Sequence, residues 1–134
     1  MKRYLAVITI FFTLFAVISD TTFAHAEKSG EQTFPDVLAV KVRALGDGRF
    51  DFDATISSPY DSVQRYADAF RVMSLDGVVF GERKLWHDHA SEQPFTRDLY
   101  GVTIKHGVKT VILQARDQKY GYGGKTVTVD LPAS

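Results

Sequence analysis

Cysteine is absent from the 134-residue sequence. This absence excludes a disulfide-stapled fold, an iron–sulfur or thiolate-zinc site, a cysteine nucleophile and a lipid anchor on cysteine. An excess of one charge is also lacking, because 16 basic and 16 acidic residues give a formal net charge of zero. Proteins that bind nucleic acid neutralise phosphates with a basic face, so this balance argues against a nucleic-acid partner. The composition, 45% hydrophobic and 24% charged, is that of a globular protein.

One apolar run, from Tyr4 to Ile18, lies near the N-terminus and follows the basic residues Lys2 and Arg3. It is shorter than the roughly 20 residues that a membrane-spanning helix needs. Residues 24–26 read Ala-His-Ala, the small-x-small pattern of a signal-peptidase site. The segment therefore predicts a cleaved signal peptide with a helical apolar region, and a retained anchor is the alternative.

The predicted organisation is a signal peptide over 1–26, a flexible leader over 27–34 and one β-sandwich domain over 35–134. Export follows from the signal peptide, so we expect a periplasmic or secreted protein. Contact with a membrane is expected only through the signal segment, if it is left uncleaved.

Apolar and polar residues alternate with a period of two along the rest of the chain, as in half-buried antiparallel strands. The apolar positions of three segments are Leu38, Val40, Val42 and Ala44; Phe50, Phe52, Ala54 and Ile56; and Val111, Leu113 and Ala115. Apolar spacing typical of a long helix does not occur there. The pattern predicts seven strands, at 36–45, 49–57, 67–75, 78–86, 95–104, 109–117 and 125–131.

Turn residues separate these segments. Asp76-Gly77 is typical of a type I′ hairpin turn, which requires positive φ at both central residues. The glycines at 121, 123 and 124 indicate a longer loop before the last strand. All four prolines lie outside the predicted strands, as expected for a residue that cannot donate to a sheet ladder.

The last third of the chain carries a family resemblance. Residues 111–117, Val-Ile-Leu-Gln-Ala-Arg-Asp, a glycine-rich segment and residues 125–132, Lys-Thr-Val-Thr-Val-Asp-Leu-Pro, resemble the closing hairpin of immunoglobulin-like and fibronectin type III-like domains. The resemblance implies a seven-stranded antiparallel sandwich, with Phe70 where immunoglobulin domains have tryptophan. It implies no activity, because such folds host many functions. An enclosed barrel is the structural alternative.

In such a sandwich the loops alternate between two ends, and the longer loops gather at one of them. This end would present aromatic side chains, which form adaptable contact surfaces. The candidate ligand-binding residues are Tyr60, Tyr66, Trp86, Tyr120 and Tyr122. The alternative is that Trp86 covers the core together with Phe95 and that the tyrosines are ordinary edge residues.

His87-Asp88-His89 and Glu92 form the one cluster with metal-ligand chemistry. Two histidines at i and i+2 point the same way in an extended segment, and imidazole suits copper and zinc. His87, His89 and Glu92 are the predicted ligands, whereas a strand of about 33 Å separates His106 from them. The alternative is a polar exposed loop. Cleavage after Ala24 would expose His25, whose amine and imidazole could chelate copper as in periplasmic copper carriers.

Catalytic chemistry has little support in the sequence, and we expect no enzyme activity. Asp51 and Asp53 are expected on the solvent face of their strand, and no serine has the context of a nucleophile elbow. The sequence favours an exported binding or accessory module that uses one loop end for a protein or a small ligand. A periplasmic copper- or zinc-binding protein using His87 and His89 is the alternative; otherwise no cofactor is expected.

Overall fold

The computed structural model describes residues 32–133, which form seven strands and no helix. The strands are β1 Asp36–Gly46, β2 Arg49–Ser57, β3 Ala67–Met73, β4 Val79–Lys84, β5 Phe95–Thr103, β6 Thr110–Asp117 and β7 Gly121–Asp130. The all-β prediction is confirmed, and the predicted bounds of β2 are those observed. The predicted signal peptide lies outside the described residues, and within 32–133 no helix could cross a membrane.

The strands form two antiparallel sheets with the orders β1-β2-β5 and β4-β3-β6-β7. Hairpins join β1 to β2, β3 to β4 and β6 to β7, whereas the chain changes sheet after β2, β4 and β5. Because every neighbouring pair is antiparallel, the connections alternate between two ends of the molecule. We call the end with loops 58–66, 85–94 and 118–120 the long-loop end, and the other the short-loop end.

Both sheets contribute to one core. Phe52 of β2, Phe70 of β3 and Leu113 of β6 are fully buried in it. The alternation predicted for β2 and β6 is observed, because Phe50, Phe52, Ala54, Ile56, Val111, Leu113 and Ala115 are all buried. Burial of these side chains supplies the main stabilising term of a domain that has no covalent cross-link.

A bulge in β1 changes the predicted face of one residue. Val37 is paired with Ile56 and Ala39 with Thr55, so Leu38 is left without a partner position. Leu38 is 50% exposed, and Val37 is buried in its place. The prediction that Leu38 shares the core face with Val40 is therefore wrong, because one inserted residue reverses the alternation.

The glycine-rich segment belongs to β7, which begins at Gly121 and not at residue 125. A Cβ on Gly123 would overlap the ring of Phe34, and one on Gly124 would collide with the carbonyl oxygen of Pro35. These glycines give the incoming chain room to pack on β7. Phe34 therefore packs on β7, while residues 27–31 of the predicted leader lie outside the described residues.

The β3–β4 turn also differs from the prediction. Gly77 has φ +90°, but Asp76 has no positive φ, since Asp47 is the one non-glycine residue with positive φ in the described part. The amide of Gly77 donates to the Ser74 carbonyl at 3.0 Å. The hairpin is therefore longer than a two-residue type I′ turn.

Candidate functional site

Asp117, at the end of β6, organises the long-loop end. Its fully buried carboxylate accepts hydrogen bonds from Tyr60 Oη at 2.7 Å, Arg65 Nε at 3.1 Å and the amides of Lys119 and Tyr120 at 2.9 and 2.8 Å. Burial alone would raise the pKa of Asp117, but these four donors hold it below its usual value. Asp117 is therefore an anion already satisfied by its own chain.

The guanidinium of Arg65 lies between two of the predicted ligand-binding tyrosines. Arg65 Cζ is 4.2 Å from the ring centroid of Tyr60 and 4.9 Å from that of Tyr120, within the range of cation–π contacts. The ring of Tyr120 also packs edge-to-face against the ring of Phe34. Burial and the hydrogen bond to Asp117 raise the pKa of Tyr60 well above its usual value, so its hydroxyl stays a neutral donor.

A second network ties the β2–β3 loop to the β4–β5 loop. The carboxylate of Asp61 accepts the amides of Ala67 and His89, each at 3.0 Å. The side chain of Gln93 accepts the amide of Ser58 at 2.8 Å and donates to the carbonyl of His89 at 3.1 Å. The long loops are thus fixed by their own polar groups and form a rigid surface.

The structure places Tyr122 away from the other predicted ligand-binding residues. It lies on β7 opposite Arg116, on the outer face of the four-stranded sheet. Its hydroxyl donates to Glu82, and Arg71 Cζ lies 3.8 Å from its ring centroid. Tyr66 is half-buried where β3 begins, and its carbonyl accepts a hydrogen bond from Gln118.

Trp86 is the most exposed large hydrophobic side chain of the described residues, at 81%. It borders a cleft of about 90 Å³, which we call the Trp86 cleft. The cleft is lined by Arg83, Lys84, Leu85, Trp86, His87, His89 and Arg97. None of the four predicted tyrosines contributes to it, so the structure separates Trp86 from them.

The cations of the Trp86 cleft are paired with carboxylates that stand outside it. Arg83 Nη1 lies 3.1 Å from Asp98 Oδ1, and Arg97 Nη2 lies 3.0 Å from Glu92 Oε2. Lys84 pairs with a carboxylate on its own strand. No acidic residue of the described chain lines the cleft itself. The cleft is therefore lined by cations whose carboxylate partners are not among its lining residues.

The two histidines of the cleft differ in environment. His87 is exposed, whereas the side chain of His89 is 2% exposed and stacks on Phe95 with ring centroids 3.8 Å apart. His89 Nδ1 has no hydrogen-bond partner and lies 3.9 Å from Asp61 Oδ2. Burial, followed by the charges of Arg97 and His87, lowers the pKa of His89. At neutral pH His89 is accordingly uncharged.

Of the predicted metal ligands, the structure brings two together. The rings of His87 and His89 lie 4.9 Å apart between centroids. The carboxylate of Glu92 is held by Arg97, and residues 32–133 contain no group of three or more His, Asp or Glu side chains placed to hold a metal ion. His106 borders a groove at the short-loop end with Phe50, so it lies apart from this pair.

Sequence reasoning missed the arginines that shape this end. Arg83 and Arg97 lie on the two strands that flank loop 85–94. Their closeness in sequence to the histidines of this loop was the signal that could have indicated them. No such signal existed for Arg65 and Asp117, because a contact between residues 52 positions apart cannot be predicted from local spacing.

No protein-family model matches the chain, and no solved structure matches it. A protein from Halomicrobium mukohataei named "Putative lipoprotein" is 34% identical to it over 95 residues. The alignment covers 71% of this chain and 46% of that protein. The chain thus spans less than half the length of this relative.

Proposed function

We propose that the protein is an exported, non-enzymatic β-sandwich module that binds a protein or a small ligand at the Trp86 cleft. The observation that carries the proposal is the 81% exposure of the indole beside a cleft on a rigid loop end. Tryptophan is enriched among the residues that contribute most of the binding energy at interfaces. The hydration of an exposed indole is unfavourable, so a partner that covers it gains free energy.

Two observations support export. Residues 1–26 have the charge and hydropathy pattern of a signal peptide. The relative's name describes a lipoprotein, a class of cell-envelope protein. This chain offers no cysteine for a lipid, so we propose a periplasmic or secreted location without an acyl anchor on its own residues.

We further infer an immunoglobulin-like arrangement of the two sheets. The strand orders β1-β2-β5 and β4-β3-β6-β7 support it, since they divide seven antiparallel strands between a three-stranded and a four-stranded sheet, as in seven-stranded immunoglobulin-like sandwiches. Phe70 lies fully buried on β3, at the position inferred from the resemblance. This architecture presents loops on a rigid frame, a common arrangement for binding.

The absence of an enzymatic role is supported by how the acidic groups are used. Asp61 and Asp117 are buried and saturated with donors from their own chain. No hydroxyl or carboxylate lines the Trp86 cleft within residues 32–133. A nucleophile paired with a base, the usual requirement for acyl transfer, is not assembled there.

The test uses the fluorescence of Trp86, the one tryptophan of the chain. Wild type, Trp86→Ala and Tyr100→Ala would be screened against panels of peptides and saccharides. Biolayer interferometry measures binding by all three proteins, and the change in tryptophan emission reports binding by the two that retain Trp86. Tyr100 is 60% exposed on β5 and serves as the control. We expect at least one saturable ligand that Tyr100→Ala retains and Trp86→Ala loses. Ligands that Trp86→Ala binds as tightly as wild type does would refute the site.

A transition-metal site is the second candidate, favoured by the 4.9 Å separation of the His87 and His89 rings. Tag-free protein would be titrated with copper and with zinc. His87→Ala and His89→Ala should each weaken binding, because each removes one of the few nitrogen donors, and His106→Ala should leave it unchanged. Equal losses in all three variants would reject the assignment.

A further inference from the structure

We propose that the Trp86 cleft is an acidic-saccharide site: it takes one anionic group, a carboxylate, sulfate or phosphate, while the sugar ring that carries the group covers the indole of Trp86. This inference rests on the proposed binding function and specifies the ligand class. The steps that support it are the charge inside the cleft, the placement of its counterions and its size.

The interior of the cleft contains cations from both of its flanking strands. Arg83 and Lys84 come from β4 and Arg97 from β5, and all three line the cleft. Within the described residues, the hydrogen bonds of Arg83 use Nη1, which donates to the carbonyl and carboxylate of Asp98. Its Nε and Nη2 remain for an incoming anion, and the planar guanidinium suits bidentate recognition.

The counterions of Arg83 and Arg97 are partly exposed to solvent. The carboxylate of Glu92 is 55% exposed and that of Asp98 is 36% exposed, so water screens both ion pairs. Exposed ion pairs contribute little to stability, so a better-placed anion can compete with them.

The size of the cleft limits what enters it. The cleft has a volume of about 90 Å³ and is open to solvent on one side. One carboxylate, sulfate or phosphate fits this space. We place the sugar ring outside the cleft, where the exposed indole of Trp86 offers a flat apolar surface. The exposed His87 offers Nε2 to the sugar hydroxyls, since its Nδ1 lies 2.9 Å from the carbonyl oxygen of Asp88.

The test compares glucuronate with glucose at equal concentrations, with Trp86 emission as the signal. The two sugars differ by one carboxylate, and inorganic phosphate is a third probe. We expect a saturable change with glucuronate that sodium chloride weakens, a weaker response to phosphate and none to glucose. Equal responses to glucose and glucuronate would overturn the proposal, and so would the absence of any response to glucuronate.

Variants assign the effect to the cleft. Arg83→Gln and Arg97→Gln should each weaken glucuronate binding at least tenfold, and Arg83→Lys should restore part of the loss. Arg43→Gln is the matched control, because Arg43 is an exposed arginine paired with Asp51 on the other sheet. Thermal melts would verify that each variant is folded. Unchanged binding in folded Arg83→Gln and Arg97→Gln would overturn the inference, while a Trp86-dependent neutral or protein ligand would leave the proposed function standing.

Discussion

Arg65 and Asp117 lie 52 positions apart in the chain, yet Arg65 Nε is 3.1 Å from Asp117 Oδ1 and 3.2 Å from Oδ2. The pair joins the loop between β2 and β3 to the end of β6. Arg65 also donates to the carbonyl of Thr33, so the same side chain reaches the segment that precedes β1. One guanidinium therefore connects three parts of the chain at the long-loop end.

Replacing Asp117 with asparagine should destabilise the protein by about 2–4 kcal/mol, because it removes the charge to which four groups, Arg65 among them, donate hydrogen bonds. The free energy of unfolding by urea measures the effect. The control is Asp53→Asn on β2, because the residue that pairs with Asp53 on β1 is exposed to solvent. A loss no larger than that of the control would show that the network contributes little.

The contribution of Asp117 should also depend on pH. Its pKa is lowered in the folded state, so the unfolded chain binds the proton more readily in acid. The stabilisation is then fully present above the ordinary aspartate value of about 3.9 and is lost as the pH falls through the lower folded value. The difference in urea midpoint between wild type and Asp117→Asn should stay constant above about pH 5 and shrink as the pH falls below about 4. A difference that does not shrink below about pH 4 would contradict the lowered pKa.

Leu113→Ala should cost about 2–5 kcal/mol, because Leu113 is fully buried on β6 and its truncation leaves a cavity between the sheets. Val63→Ala, at a side chain 77% exposed, should change stability by less than about 0.5 kcal/mol. Denaturant midpoints of the two variants test the difference. Equal midpoints would mean that the described core is wrong.

Gly123→Ala should destabilise the protein by about 1–3 kcal/mol, because the added methyl overlaps the ring of Phe34. Gly81→Ala, where the methyl would meet side chains at 3.4 Å, is the matched control on another strand. Adding Phe34→Ala should remove most of the cost of Gly123→Ala, since the clash then has no partner. Additive effects in the double variant would argue against this contact.

The exported protein should begin at Glu27, because the Ala-His-Ala site directs cleavage after Ala26. Intact-mass analysis of protein recovered from the periplasm or medium gives the answer. A mass that includes residues 1–26 would support the alternative of a retained anchor. A start at His25 would support the alternative of a copper site at the N-terminus.

Sequence reasoning predicted what depends on local pattern. The alternation at Phe52 and Leu113 is observed because a strand buried on one face must alternate. It failed at Leu38, where an inserted residue reverses the face, and at Gly123, where the requirement comes from Phe34 far away in the chain. Local propensity does not contain such distant constraints.

The same limit applies to the candidate site. Tyrosines near loops suggested an open aromatic surface, but Tyr60 and Tyr120 pack on Arg65, and Tyr122 packs on Arg71. The guanidiniums on Tyr120 and Tyr122 come from other elements, which only the tertiary fold brings close. Trp86, at 81%, is more exposed than any of the four tyrosines.

The way the chain enters the domain decides how the molecule can be attached to a surface. Gln32 donates to the carbonyl of Ser57, which places the start of the described chain at the same end as Trp86. Ala133 borders the groove with His106 at the opposite end. A biosensor tether or display fusion after residue 133 would therefore leave the Trp86 cleft facing solution. A linkage just before Gln32 would place the support at the same end of the molecule as the cleft.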